Sequence, residues 1–245
     1  MGAAQPQLEA WLFDLDGVVT DTAAIHGRAW KKLFDQFLEQ RAAGGAWEPL
    51  ALPEDYLAHI DGKPRYEGVR DFLKARGIEL PWGSPDDAPG FDTICAVGNV
   101  KNEYFNTVLD REGVPVFDGC VRLLEQLRGL GRKIACVSSS KNCRPVLERA
   151  KLRHLFDAVV DGTDLEARGL RGKPQPDPYL AAAEEVGSTA ATSVVLEDAL
   201  SGVEAGRRGA FGLVVGVDRG LGEAALLQAG ADRVVKDAGD LVDDA

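Results

Sequence analysis

The chain has 245 residues, 45% of them apolar, enough to bury one large core or a core with a modest insert. Asp and Glu outnumber Lys and Arg by 39 to 28, a formal charge of −11, which argues against a nucleic-acid partner because such sites need basic stripes. No apolar run approaches a membrane span, and the opening MGAAQPQLEA has neither a basic region nor an apolar stretch, so no membrane partner and a cytoplasmic setting are expected.

Gly2 follows the initiator Met, but Pro6 stands where an acylation motif needs Ser or Thr. The four cysteines (Cys95, Cys120, Cys136, Cys143) show no metal-ligand spacing and read as reduced thiols, Cys136 as small core filling. A monomer is expected.

Taken in chain order, AWLFDL at 10–15 reads as a buried strand that ends in a turn at Asp16-Gly17. Residues 23–112 then break into helical patterning. Trp30, Leu33, Phe34, Phe37 and Leu38 follow the spacing of an amphipathic helix, and Gly- and Pro-rich loops follow, including PWGSPDDAPG. No strand is predicted there. From 113 onward strands alternate with helices. Val121, Leu124 and Leu127 mark one helix, and RPVLERAKL another with Pro145 near its start. The apolar runs KIACV (133–137), DAVVD (157–161), SVVLE (193–197) and GLVVGV (212–217) read as strands. This alternation predicts an α/β fold, a Rossmann-like parallel sheet with helices on both faces, and a small helical domain inserted after the first strand. The expected division is 1–22 with 113–245 as core and 23–112 as insert.

Three predicted strands end in polar clusters: Asp14-Leu15-Asp16-Gly17, Ser138-Ser139-Ser140 and Glu197-Asp198. Ligands of open α/β sheets bind beyond the carboxyl ends of the strands, so these clusters should share one crevice, with Gly172-Lys173-Pro174 able to join them. Asp14 and Asp16 lie two apart on an extended segment and point the same way. One can serve as an ionised nucleophile held by a metal while the other carries a proton. Glu197-Asp198 offers hard oxygen ligands for magnesium. Ser138 can hold phosphate oxygens, and Lys173 can neutralise a phosphoryl group. Each string taken alone also fits a plainer arrangement: a turn with two solvated acids, an acidic helix start, a helix cap, a solvated lysine. Their order and common placement favour phosphoryl transfer.

Together FDLDGVVTDT (13–22), VSSS (137–140), GKPQPD (172–177) and VLED (195–198) resemble the four signature motifs of the haloacid dehalogenase superfamily, across most of the chain. Further matches resemble its β-phosphoglucomutase branch: DTAAIHGRAWK (21–31), DGKPR (61–65), VKN (100–102) and SSSKN (138–142). The resemblance implies an insert that acts as a substrate-specificity cap, a phosphorylated sugar as substrate and Mg2+ as cofactor. It implies that Asp14 becomes an aspartyl phosphate while Asp16 protonates and deprotonates sugar oxygens. Asp14, the Asp16 carbonyl and Asp198 would bind magnesium with Glu197 nearby, and Ser138 and Lys173 would hold the transferring group. Arg65, Ser140 and Asn142 would take a second phosphate. His26, Lys101 and the Gly62-Lys63 backbone would orient the sugar, with Trp30 and Ser139 on the substrate side and Thr22 at the hinge.

The implied reaction interconverts β-D-glucose 1-phosphate and glucose 6-phosphate through glucose 1,6-bisphosphate. A sugar-phosphate phosphatase on the same scaffold is the alternative, and a silent binding module a third reading. Stretches 41–58 and 80–92 are longer than the branch pattern, which leaves the sugar open.

Overall fold

The computed structural model describes residues 8–61 and 63–244, which divide into two compact units, Thr22–Gly113 and the remainder. The chain enters through β1 (Ala10–Asp14), all five residues of which are buried. It then supplies the four helices of the insert: α1 (Ala23–Ala42), α2 (Glu54–His59), α3 (Arg65–Ala75) and α4 (Ile94–Glu112). On return it runs through α5 (Asp118–Gly129), β2 (Lys133–Val137), α6 (Cys143–Arg149), β3 (Ala158–Val160), α7 (Gly162–Arg168) and α8 (Asp177–Glu185). The last segment adds β4 (Ser193–Glu197), α9 (Leu200–Arg208), β5 (Leu213–Val217), α10 (Glu223–Ala229) and β6 (Arg233–Val235).

The six strands form one parallel sheet in the order β3-β2-β1-β4-β5-β6. Continuous apolar runs form these strands because helices cover both faces and leave no side for polar residues. Leu12, Phe13, Val195 and Leu196 are fully buried, each burial contributing about 1.5–3 kcal/mol. Five strands agree with the sequence reading. The sixth, β6, was not predicted, because three residues between Asp232 and Lys236 give no periodicity to read.

Register places the chemistry. Asp14 pairs with Val137 and Phe13 with Leu196, so Asp14 and Glu197 fall at one level on the carboxyl edge, with Ser138 one residue beyond. Glu197 pairs with Gly216, which brings Asp218 and Arg219 to the same edge.

In the insert, Trp30, Leu33, Phe34, Phe37 and Leu38 form the buried face of α1 and cluster with Val69, Phe72 and Leu73 of α3 and Ile94, Val97 and Val100 of α4. The Phe34 and Phe72 rings lie 4.0 Å apart. Both long stretches are fastened down. Arg76 donates to the Glu48 and Pro49 carbonyls and pairs with Asp55 at 2.6 Å, and Asp35 accepts from Leu50 N–H. In the second, Asn99 Nδ2 donates to the carbonyls of Pro85 and Asp87, while Thr93 caps α4 and donates to Asp87. No helix among the described residues is long and apolar enough to cross a membrane. The four cysteines are free thiols and all are buried.

Candidate active site

Residues far apart in sequence meet at the carboxyl edge of the sheet. Lys173, 6% exposed, extends its ammonium between the carboxylates of Asp14 and Glu197, pairing with both, the latter at 2.5 Å. Glu197 is 1% exposed and engaged at both oxygens: Oε1 accepts from Lys173 and from the Tyr179 hydroxyl at 3.2 Å, and Oε2 from Ala199 N–H at 2.8 Å. Gly202 makes room for it, since a Cβ there would fall 1.8 Å from Oε1.

One oxygen each from Asp14, Glu197 and Asp198 lies within 4.8 Å of the others. Two of these carboxylates, Asp14 and Glu197, share the Lys173 ammonium, and Asp16 is close enough to act on Asp14. Burial pushes Asp14 well above the ordinary carboxylate range; the Lys173 charge opposes this, and Glu197 and Asp16 add to it. Burial alone would lower Lys173, but the charges of Asp14 and Glu197 overcome this and hold the ammonium protonated. The excess negative charge calls for a proton or a cation. Hard carboxylate oxygens at this spacing suit a divalent ion such as magnesium. Glu197 Oε2 accepts only the one bond from Ala199 and keeps acceptor capacity for such an ion.

The loop after β2 is set by its own hydroxyls. Ser138 N–H donates to the Val160 carbonyl, Ser138 Oγ accepts from Ser140 N–H, and Ser140 Oγ accepts from Asn142 N–H, both at 3.1 Å. Ser138 is buried, while Ser139, Ser140 and Asn142 are half-buried at the loop surface. The motif carrying Asp16 closes as a tight turn: Gly17 N–H donates to the Thr20 carbonyl, and Thr20 N–H and Oγ1 donate to the Leu15 carbonyl.

Within the insert the candidate residues form two groups. Lys101, 3% exposed, contacts His26 Nδ1 at 2.5 Å and lies over the rings of Phe105 and Trp30, while His26 stacks on Phe105. Thr22, fully buried, precedes α1. The second group holds Arg65, whose guanidinium donates to Asn102 Oδ1 at 2.9 Å and Asn99 Oδ1 at 3.4 Å. Lys63 pairs with Asp71. Gly62 lies outside the described residues.

A family model for haloacid dehalogenase-like hydrolases matches residues 8–209. The chain belongs to the haloacid dehalogenase-like hydrolase family. It is 46% identical over 242 residues to the β-phosphoglucomutase of Mycobacterium bovis, covering 96% of this chain and 92% of that one. A β-phosphoglucomutase of Bacillus subtilis is 31% identical, with the same two coverages. Among solved structures, the β-phosphoglucomutase of Clostridium difficile superimposes with a TM-score of 0.76 at 25% identity, covering 96% of this chain and 93% of that one. The chain is thus an enzyme of a phosphoryl-transferring family with the α/β fold expected of it.

Tyr179 and Asn99 were not singled out in the sequence. DPYL gives no sign that its Tyr hydroxyl reaches Glu197, and only the VKN segment beside Asn99 hinted at a site there.

Proposed function

We propose that the chain is a β-phosphoglucomutase, interconverting β-D-glucose 1-phosphate and glucose 6-phosphate. The observation that carries this reading is 46% identity to a β-phosphoglucomutase over nearly the whole of both chains. The Asp14, Lys173, Glu197 and Asp198 cluster supports it, because phosphoryl transfer depends on charge neutralisation and in-line positioning.

In this reading residues 1–22 and 113–245 form the catalytic core and 23–112 the specificity cap, acting in the cytoplasm as a monomer. Asp14, Asp198 and the Asp16 carbonyl would hold magnesium, with Glu197 beside them; when bound, the ion neutralises charge on the phosphoryl oxygens. An Asp14 oxygen attacks the phosphorus, the bond to the leaving oxygen breaks, and Asp16 donates a proton to that oxygen. For the return step Asp16 removes a proton from a hydroxyl of the sugar monophosphate. That oxygen attacks the phosphorus, and Asp14 leaves as a carboxylate. Lys173, anchored by Glu197, which Tyr179 in turn holds, orients Asp14 and neutralises the transferring group with Ser138. Ser140, Asn142 and Arg65 receive the second phosphate; Ser139, Thr22, His26, Trp30, Gly62, Lys63 and Lys101 serve the sugar.

The test supplies β-D-glucose 1-phosphate, magnesium and catalytic glucose 1,6-bisphosphate, and follows glucose 6-phosphate and free phosphate together. Isomer without net phosphate is expected. Stoichiometric phosphate without isomer would make the enzyme a phosphatase.

A further inference from the structure

Arg219 sits two residues beyond β5, in a turn held by the Asp218 carboxylate. Asp218 Oδ1 accepts from Gly220 and Gly222 N–H, both at 2.9 Å, and its other oxygen pairs with Lys236. From this fixed base the guanidinium reaches across the carboxyl edge to the first motif. Its Nε donates to the Gly17 carbonyl at 2.6 Å, Nη1 to the Lys236 carbonyl at 3.0 Å and Nη2 to Asp237 at 3.4 Å. One face lies 3.5 Å from the ring centre of Phe117. An arginine stacked and bonded on three sides has little freedom, and its planar fork suits such a role where lysine does not.

The two ends of Gly17 are therefore both tethered. Its N–H donates to the Thr20 carbonyl at 2.8 Å, and its carbonyl accepts from Arg219. A trans peptide is rigid, so fixing the Gly17 N–H fixes the plane that ends in the Asp16 carbonyl oxygen. Fixing the Gly17 carbonyl locks the next plane. The Asp16 carbonyl is the one backbone oxygen that the proposed magnesium set uses.

We propose that Arg219 is a positioning residue for the metal, setting the Asp16 carbonyl and the adjoining turn through its bond to Gly17. The inference rests on the metal-dependent reading of the site but not on the identity of the sugar. Partners bonded directly to a metal ligand typically change affinity or activity by about 10–100-fold; Arg219 acts one residue further out, through Gly17, so the lower end of that range is expected.

The experiment compares wild type with Arg219→Lys, Arg219→Gln and Phe117→Leu. Manganese binding is measured through loss of the free Mn2+ electron paramagnetic resonance signal. Magnesium half-saturation, kcat, KM for the sugar phosphate and Tm are measured alongside. The expected result is Mn2+ affinity weakened about tenfold in both Arg219 variants, a matching rise in magnesium half-saturation and little change in KM for the sugar. Phe117→Leu, which keeps every hydrogen bond of the loop, should show a smaller loss in the same direction. Wild-type Mn2+ affinity in variants whose Tm has fallen would overturn the proposal and leave Arg219 a structural brace. A wild-type protein that binds no Mn2+ would overturn the metal reading and the proposal together, whereas failure to isomerise glucose phosphates would leave the Mn2+ comparison intact.

Discussion

Gly17 lies against Asp198 so closely that a Cβ on the glycine would fall 1.9 Å from a carboxylate oxygen of the aspartate. The residue also holds φ at +91°, where an L side chain is strained. The turn of the first motif and the acidic end of β4 are thus shaped to each other, and Gly17→Ala must displace one of them. A shift of about 1 Å at a reacting centre costs on the order of 100-fold in rate. The variant should lose at least that much activity, along with a lower Tm. Near-normal kcat in a folded Gly17→Ala protein would show that Asp198 moves aside without consequence.

Removing Lys173 leaves Asp14 and Glu197 buried without their shared counter-charge. Breaking a buried pair from one side typically costs about 3–5 kcal/mol. Urea unfolding of Lys173→Met should show a loss of that size, and adding Glu197→Gln should recover part of it because one stranded charge is gone. A change under about 1 kcal/mol would mean that water reaches the carboxylates freely.

Magnesium binding should release protons. Burial raises Asp14 above its ordinary 3.8 in the folded protein, Glu197 and Asp16 add to that effect, and Lys173 opposes it. At pH below that raised value the metal-free site keeps a proton that a cation displaces. Apparent affinity should climb as pH rises toward the raised value and level off above it. For the metal-free protein the sign is opposite: the stability tied to this group is present below 3.8 and is lost as pH rises through the raised folded value. Calorimetry in two buffers of different ionisation enthalpy measures the release, and Asp14→Asn should abolish it. Proton-neutral binding by wild type would place the carboxylate in its ionised form before the metal arrives.

Asn99 joins Arg65 and Tyr66 to the 80–92 stretch, since its Oδ1 accepts from both side chains while its Nδ2 fastens the Pro85 and Asp87 carbonyls. Asn99→Ala unties all of these at once. Arg65 keeps its 2.9 Å bond to Asn102 and loses only the longer 3.4 Å bond to Asn99, so KM for the sugar phosphate should rise only a few-fold if Arg65 grips a substrate phosphate, with kcat changing less. An unaltered KM would assign the asparagine to holding the loop alone.

The parallel sheet was legible because fully covered strands leave continuous apolar runs, and α1 because its buried face repeats at helical spacing. The site was legible only as ordered fragments. Nothing local to Lys173 says that it meets Asp14, 159 residues away. Glu197 illustrates the limit: paired acids at a strand end suggest metal ligands, but nothing local shows that its oxygens also accept from Lys173, Tyr179 and Ala199, all of which arrive through the fold. Tyr179 and Arg219 were silent for the same reason. Their roles depend on which neighbours the β-strand order supplies.

The chain leaves the core just after Thr20 and comes back to it just before Val116, and these two crossings pair with each other. Val19 accepts from Phe117 N–H, Asp21 N–H donates to the Pro115 carbonyl, and Thr20 bridges Val116 in antiparallel sense. The doorway is therefore latched from the core side, whatever is threaded through it. For an engineer this defines a splice point: a short turn or a foreign helical module joined between Asp21 and Val114 would inherit anchor points already held together. For a lineage it means that changes between these anchors fall within one contiguous stretch of gene, while the paired segments on either side stay in place.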